Sequence, residues 1–167
     1  MAIDTKQTIA EAALHILMTR DAKKLTVKDV VEECRITRQA FYYHFEDIPV
    51  LFRWILERDR QKVLEEALAF CDAEKGMKYF FLVAINAAPF VKKGMQAGYR
   101  DVFQKMLFDY YYRFFEQLVE KEHLYQSEPY ADVKLYLRYH AYAVMGLLQN
   151  WTEDDTTHLE EIVHKIR

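Results

Sequence analysis

The sequence predicts an all-α protein. Its 167 residues include only 4 glycines and 3 prolines, fewer turn-forming residues than a strand-rich fold of this length would need. Hydrophobic residues make up 51% of the chain, and in the long segments they recur at intervals of three and four residues, the spacing of helices with one buried face. The length is enough for a small domain joined to a larger one. We therefore expect a helical domain over residues 1–46 and a second over residues 47–167.

Three short helices are expected in the first domain. The first spans about residues 5–18, where apolar residues share one face: Ile9, Ala12, Ala13, Ile16 and Leu17. Thr26 and Thr37 each stand where a hydroxyl can cap a helix by accepting a hydrogen bond from an unpaired amide of the first turn. The second helix presents Val27, Val30 and Val31, and the third presents Ala40, Phe41 and Phe45. Only Cys34-Arg35-Ile36 separates these two helices, so the pattern indicates a helix-turn-helix.

Polar side chains occupy the other faces of the third helix: Arg38, Gln39, Tyr42, Tyr43 and His44. Arginine can pair bidentately with guanine and glutamine with adenine in the major groove, while hydroxyl and imidazole groups suit phosphate oxygens. The first turn of a recognition helix is where such groups reach base edges. The pattern predicts binding to double-stranded DNA.

The run Thr26–Phe45, followed by Glu46-Asp47, resembles the DNA-binding signature of the TetR (TetR/AcrR) family of regulators, and Phe41–Phe45 is its most specific part. The resemblance covers roughly residues 6–56 and beyond them extends to the helical architecture only. It implies phosphate contacts from Thr26, Tyr43 and His44, and base contacts from Lys28, Arg38, Gln39 and Tyr42. With the cap of the recognition helix, the predicted DNA-binding residues are Thr26, Lys28, Thr37, Arg38, Gln39, Tyr42, Tyr43 and His44. The continuation Phe45–Ile55 is similar to a branch that includes dihydroxyacetone-kinase-linked regulators.

Two residues depart from the family pattern. Arg35 stands in the turn where the family usually has a small residue, often glycine, and a left-handed backbone there would be strained for arginine. Either the turn differs slightly or Arg35 adds a phosphate contact. The stretch Glu46–Pro49 lacks the lysine that the family commonly has near the start of the next helix. We therefore expect weaker non-specific DNA affinity than in a typical member.

The first domain is not basic, since residues 1–46 hold seven basic and seven acidic side chains. The whole chain has a net charge of -3, which argues against a protein that simply coats nucleic acid. DNA binding must then depend on where the charges lie. Two such domains side by side would be needed for useful affinity, which favours a dimer.

The second domain is expected to contain long helices. One begins near Ile48-Pro49, where proline suits the first turn, and runs to about Cys71. Another covers Gly76–Ala88, and the region from Pro89 to Gly98 is predicted as a loop with at most a short helix, because proline and glycine interrupt the pattern. Further helices are predicted over Tyr99–His123, from Pro129 or Tyr130 to Trp151, and over Glu153–Ile166.

Aromatic residues, 15% of the chain, concentrate in the middle of the second domain. They can be core packing, as aromatics at helical spacing usually are, or they can line an apolar cavity between helices that holds a small apolar or aromatic ligand. It is equally open that the region is filled by its own side chains and has no ligand. The candidate ligand-binding residues are Trp54, Phe81, Phe103, Tyr110, Phe114, Tyr139 and His140.

The last two predicted helices carry apolar stripes suited to dimerisation, and Gly146 would permit close approach of two helices. A four-helix interface between two subunits would bury both stripes, as the family resemblance also implies; the alternative is burial within one subunit. The candidate dimerisation residues are Leu137, Ala141, Val144, Leu148, Trp151, Leu159, Ile162, Val163 and Ile166. A helix-turn-helix dimer places its recognition helices about one DNA turn apart, which predicts an inverted-repeat operator.

Other classes of protein are less consistent with the sequence. It has no His-Glu-x-x-His, no glycine-rich phosphate loop and no nucleophile elbow, so we expect no enzyme activity, no cofactor and no metal. The 2 cysteines are isolated, no apolar run reaches membrane-spanning length, and the N-terminus does not resemble a signal peptide. These features predict a reduced, cytoplasmic protein without a membrane partner.

The interpretation that unites these observations is a homodimeric transcriptional regulator whose DNA binding is modulated by a ligand in the second domain. Repression is the default that the resemblance implies, and activation stays open. A second hypothesis is a helical protein-interaction module that kept the fold without specific DNA binding. A third, less favoured, is a small helical enzyme.

Overall fold

The computed structural model describes residues 4–20 and 24–166. Of the residues described, 84% are helical and none lies in a strand, so the all-α prediction is confirmed. Along these residues lie α1 (Thr5–Thr19), α2 (Val27–Cys34), α3 (Arg38–His44), α4 (Ile48–Ala69), α5 (Ala73–Gly94), α6 (Arg100–Lys121), α7 (Tyr130–Gln149), α8 (Glu153–Thr157) and α9 (Leu159–Ile166). None of the helices described has both the length and the apolarity needed to cross a bilayer.

Both predicted caps in the helix-turn-helix are confirmed. The Thr26 hydroxyl accepts a hydrogen bond from the amide of Asp29 at 3.3 Å, and the Asp29 carboxylate accepts one from the amide of Thr26 at 2.9 Å. This reciprocal capping box satisfies two amides that the helix itself leaves unpaired. Thr37 accepts from the amide of Ala40 at 3.1 Å and starts α3 in the same way.

The turn between α2 and α3 is left-handed despite its arginine. Arg35 has φ 54 and ψ 42, and the following amide of Ile36 donates to the carbonyl of Val31 at 3.0 Å. The turn therefore keeps the left-handed conformation that glycine favours, and does not differ to accommodate Arg35. Arginine tolerates it at a cost of roughly 1–2 kcal/mol.

A first compact unit combines the described residues up to Asp59 with Ala88–Gln104. Phe52 on α4 has its ring centroid 6.0 Å from that of Phe90, 5.2 Å from that of Tyr99 and 4.9 Å from that of Phe103. Buried aliphatic and aromatic side chains of α1 to α4 complete the core: Ile9, Ala13, Ile16, Leu17, Leu25, Val30, Phe41, Phe45, Ile48 and Leu51. The packing thus brings a distant stretch of sequence to the first three helices.

The predicted loop from Pro89 to Gly98 is wrong, because α5 continues through Pro89 to Gly94. Proline cannot donate to the carbonyl one turn earlier, which costs about 3 kcal/mol within a helix. Burial of the adjacent Phe90 against Phe52 and Phe103 offsets that cost.

The two glycines that suggested a loop have different roles. Gly94 lies so close to Phe103 that a Cβ would overlap the ring. Met95–Tyr99 then forms a widened π-type turn, in which Gly98 adopts φ 90 and ψ 12. Only Gly98 needs glycine for its backbone conformation.

A second compact unit contains Arg60–Ala87 and the described residues from Lys105 onward. At its centre the rings of Phe80 and Phe114 stack with centroids 3.9 Å apart. Its core is buried throughout: Leu64, Ala67, Met77, Phe80, Phe81, Tyr111, Phe114, Phe115, Leu137, Ala141, Val144, Leu159 and Val163. The single last helix predicted from Glu153 is instead two, since α8 ends before His158 and α9 starts after it.

Candidate nucleic-acid interface

Helix α3 is held by two rings and presents the rest of its side chains outward. Phe41 and Phe45 are fully buried, with their ring centroids 5.9 Å apart. Tyr43 is 84% exposed and Tyr42 57% exposed. A short helix that is anchored on one side and bare on the other has the form of a recognition helix.

The remaining polar residues predicted on α3 lie on or beside this bare side. Arg38 and Gln39 in the first turn, and the capping residue Thr37, are exposed. His44 in the last turn is half-buried, with its ring edge-on to Tyr43 at 5.0 Å between centroids. The structure therefore brings together all the residues predicted from the third helix.

The two residues predicted on α2 differ in their freedom to contact DNA. Lys28 is exposed, and its Nζ lies 3.8 Å from Oε1 of Glu32, a weak surface pair that leaves the ammonium free to move. Thr26 is half-buried, and its hydroxyl donates to the Asp29 carboxylate at 2.6 Å. A phosphate contact from Thr26 would therefore compete with the capping box.

Sequence reasoning missed the residues that fix α2 against α1. The Glu33 carboxylate accepts from Nη2 of Arg20 at 2.6 Å, and its other oxygen lies 2.8 Å from Nδ1 of His15. Glu33 lies 18 residues from His15 and 13 from Arg20 in the sequence, so no short motif indicates that they are in contact. The Thr26-x-x-Asp29 spacing, in contrast, is a recognisable capping signal.

An acidic residue, Asp47, lies at the start of α4, the region where the family commonly has a lysine. Asp47 accepts a hydrogen bond from the amide of Val50 at 2.8 Å and so caps α4. A carboxylate at a helix N-terminus is stabilising there, but it adds negative charge beside the proposed DNA surface.

Two protein-family models match the chain. The one described as "Bacterial regulatory proteins, tetR family" covers residues 9–53, and the TetR model described as "Transcriptional regulator C-terminal region" covers residues 72–167, more than half of the chain. The chain belongs to the TetR family. The family resemblance noted in the sequence is thereby confirmed, and the family is one of transcriptional regulators.

Individual curated relatives match less than half of the chain. A probable acrEF/envCD operon repressor of Escherichia coli (strain K12) is 29% identical over 69 residues, 40% of this chain and 31% of the relative. The HTH-type dhaKLM operon transcriptional activator DhaS of Lactococcus lactis subsp. lactis (strain IL1403) is 28% identical over 65 residues, 39% of this chain and 35% of the relative. The chain thus matches about a third of the length of these curated relatives.

Two solved structures resemble this chain over nearly its whole length. The dihydroxyacetone kinase operon activator DhaS superposes with a TM-score of 0.66 at 17% identity, over 99% of this chain and 93% of that chain. The fatty acid degradation regulator FadR from Bacillus halodurans has a TM-score of 0.58 at 14% identity, over 96% of this chain and 91% of that chain. At such identities the likeness shows the fold alone.

The structure distributes the predicted ligand-binding residues of this TetR-family chain over both units. Trp54 and Phe103 lie in the first unit and the other five in the second. Phe81, Tyr110 and Phe114 all surround Phe80, with ring centroids within 6.0 Å of it.

The last two of these residues are neighbours on α7 with different surroundings. His140 is half-buried beside Phe115, and burial lowers its pKa. Tyr139 is 68% exposed. Three of the seven candidates thus form a cluster around one ring, and a contribution of all seven to ligand binding stays a prediction.

The predicted dimerisation residues mostly serve the interior of the subunit. Of the nine, Leu137, Ala141, Val144, Leu159 and Val163 are buried in the core of the second unit, while Leu148, Trp151 and Ile166 pack against that core; Ile162 is half-buried. A side chain covered by its own chain is not available to a second subunit. Five of the nine are covered by their own subunit and four are only partly buried, so a subunit contact through these residues stays a prediction, as dimerisation does.

Proposed function

We propose that the chain is a sequence-specific DNA-binding regulator of transcription that acts as a homodimer on an inverted-repeat operator. The observation that carries this proposal is the form of α3, with Phe41 and Phe45 buried and Arg38, Gln39 and Tyr42 directed to solvent. An exposed row of base-reading groups at the start of a short, capped helix suits the major groove. We assign DNA contact to residues 1–46 and regulation and dimerisation to residues 47–167.

We propose a dimer through the outer face of α7, which we define as Leu135, Tyr139, Tyr142 and Gly146. These residues are spaced i, i+4, i+7 and i+11 and form one stripe. Leu135 is 51%, Tyr139 68% and Tyr142 57% exposed. A run of exposed large apolar side chains on one helix is typical of an interaction surface.

Gly146 supports the choice of a second copy of the chain as the occupant. Apart from its chain neighbours and the backbone of α7, no atom of the described residues lies within 4 Å of a Cβ built there, so the glycine leaves room for a close neighbour outside the subunit. Two copies of the stripe can cover each other about a two-fold axis, and a two-fold dimer is also what an inverted repeat requires.

We further propose that a small molecule bound in the second unit modulates DNA binding. The support is the concentration of aromatic side chains around Phe80, together with the half-buried His140 beside Phe115. A ligand can change DNA affinity only if it binds the two conformations of the regulator with different affinity. A panel of small aromatic and aliphatic compounds, tested for release of bound operator, would identify it.

The sign of regulation is proposed as repression. One relative is named a repressor and another an activator, so likeness alone does not set the sign. A regulator that only occupies promoter DNA excludes other proteins from it. A reporter placed behind the selected operator should therefore be less active when the chain is present; higher activity would make it an activator.

Selection of bound sequences from a random duplex pool at near-physiological salt tests the central proposal. Enrichment of an inverted repeat is expected. A folded dimeric preparation, freed of small molecules by refolding, that enriches nothing would contradict it. Binding that hardly changes with salt would also contradict it, because neutralised phosphates release counterions and make DNA affinity fall steeply; it would favour a protein partner instead.

A further inference from the structure

Tyr99 joins the end of the widened Met95–Tyr99 turn to the start of the helix-turn-helix. Its hydroxyl donates a hydrogen bond to the backbone carbonyl of Leu25 at 2.8 Å, across 74 residues of sequence. Leu25 is fully buried and directly precedes Thr26, the cap of α2. The bond therefore acts at the residue from which α2 begins.

The ring of Tyr99 is held in place by the aromatic cluster around Phe52. It lies edge-on to Phe52, with 5.2 Å between ring centroids, and Phe52 in turn contacts Phe90 and Phe103. Gly98, at φ 90, makes the turn that brings Tyr99 to this position. An aromatic ring fixed by packing delivers its hydroxyl at a defined point, so little side-chain freedom is lost when the bond forms.

The hydroxyl is also kept in the form that can donate. Burial, followed by the carboxylates of Asp47 and Asp29, raises the pKa of Tyr99 above its ordinary value. A phenol with a raised pKa keeps its proton throughout the range in which the protein works. The carbonyl of Leu25 therefore has a permanent donor.

We propose that Tyr99 is a positioning residue for DNA recognition, whose hydrogen bond to Leu25 sets the orientation of α2 and thereby of α3. The inference rests on the proposed DNA-binding function. Tyr99 lies within residues 72–167, the part matched by the C-terminal family model, yet it contacts the segment that leads into the reading helices. It is thus a point at which the later part of the chain acts on DNA affinity without touching DNA.

The reason that orientation matters is the difference between the two kinds of DNA contact. Hydrogen bonds to base edges need defined geometry and carry the sequence preference, whereas contacts to phosphates tolerate small shifts. Loss of the Tyr99 bond should therefore lower affinity for the operator more than affinity for unrelated DNA. General loss of stability would lower both by the same factor, through the folded fraction.

The test compares Tyr99→Phe with Tyr112→Phe, the same change at a half-buried tyrosine on α6 in the second unit. Fluorescence anisotropy gives the affinity for the selected operator and for a scrambled duplex, and urea unfolding checks that each variant stays folded. Tyr99→Phe should lose operator affinity by roughly five-fold, the equivalent of one ordinary hydrogen bond, with scrambled-duplex affinity unchanged. Tyr112→Phe should match the wild type in both.

A second variant acts on the turn and leaves the hydroxyl in place. Gly98→Ala has no neighbour to clash with within 4 Å, but the φ of 90 is unfavourable for alanine, so the turn should shift and displace Tyr99. The same selective loss of operator affinity is expected. If the wild type binds the operator and folded Tyr99→Phe binds it equally well, or if both DNA affinities fall together, the inference is refuted; if the wild type shows no operator binding, the proposed function fails first.

Discussion

Glu33 of α2 and Arg20, the residue that follows α1, are joined by a hydrogen-bonded ion pair with 2.6 Å between Oε2 and Nη2. The second carboxylate oxygen of Glu33 lies 2.8 Å from Nδ1 of His15. One side chain thus ties the first helix of the helix-turn-helix to two points near the end of α1. None of these three residues belongs to α3, so the contact joins α1 and α2 without using a side chain of the recognition helix.

Replacement of Glu33 by glutamine should lower the free energy of unfolding by about 0.5–1 kcal/mol, because the pairs are partly exposed and partly screened by solvent. Urea denaturation measures the change. Glu161→Gln is the matched control, since Glu161 pairs with Lys165 at 2.6 Å within one exposed turn of α9, and it should lower the free energy of unfolding less than Glu33→Gln does. Equal effects of the two replacements would show that Glu33 does not join the helices.

Arg35→Gly should stabilise the protein. Relief of the left-handed strain at φ 54 should raise the free energy of unfolding by roughly 1–2 kcal/mol. The greater conformational entropy of glycine in the unfolded chain lowers it again in part. A net gain of up to about 1 kcal/mol is expected in thermal or urea unfolding. Arg113→Gly, the same exchange at an exposed helical position of α6, should instead destabilise; a loss at both positions would contradict the strain at Arg35.

Arg38 and Tyr43 should affect DNA binding in different ways. Arg38→Ala is expected to cost about 1–3 kcal/mol of operator affinity and to relax the preference at one base position, because arginine pairs bidentately with a base edge. Tyr43→Phe should weaken binding more evenly across sequences, as loss of a phosphate contact does. Affinities for a set of single-base operator variants measure both patterns. An Arg38→Ala protein with unchanged base preferences would mean that α3 docks differently.

Tyr142→Glu should convert the dimer to a monomer, because it places a charge in the outer face of α7 where the second copy would cover it. Tyr130→Glu is the control, since Tyr130 is exposed at the start of the same helix but lies off that stripe. Sedimentation at micromolar concentration reports the assembly, and binding to a full inverted repeat reports its consequence. Dimers that persist in folded Tyr142→Glu would exclude this face.

His140 should titrate below its ordinary value. Burial lowers the pKa of this imidazole from 6.5, so below about pH 6.5 the unfolded chain takes up a proton that the folded chain resists. The contribution of neutral His140 is therefore fully present above that pH and is lost as the pH falls from 6.5 towards the lower folded pKa. Proton NMR titration of the ring measures this directly, and His140→Gln should be less sensitive to acid. Titration at or above 6.5 would contradict the burial.

Local signals were enough for the helix-turn-helix. Thr26 and Thr37 predict the starts of their helices, because a capping hydroxyl accepts hydrogen bonds from amides only two or three residues away. The loop predicted at Pro89 was wrong because the interactions that keep this proline in a helix are not local. Its cost is local, whereas the packing of Phe90 on Phe52 and Phe103 that offsets it comes from distant sequence.

Helix α7 shows why candidate interface residues are harder to predict from sequence than the helix-turn-helix. Leu137, Ala141, Val144 and Leu148 form one apolar stripe, and the outer face begins two residues earlier, at Leu135. Two residues correspond to roughly 200° around a helix, so the stripes lie on nearly opposite sides. Both are apolar or aromatic, and periodicity alone cannot say which one the chain covers itself. Only the fold shows that the first is interior.

Because the first compact unit includes Ala88–Gln104, it cannot be completed during synthesis until residue 104 has left the ribosome. Phe52 would emerge well before Phe90, Tyr99 and Phe103, the three rings that cover it. Until those residues emerge, we expect the newly made N-terminal helices to expose an apolar face. Chaperones bind such exposed apolar surface. A fragment cut at the end of the helix-turn-helix would remain in that state permanently, so the DNA-reading helices of this chain are not a module that can be detached and moved.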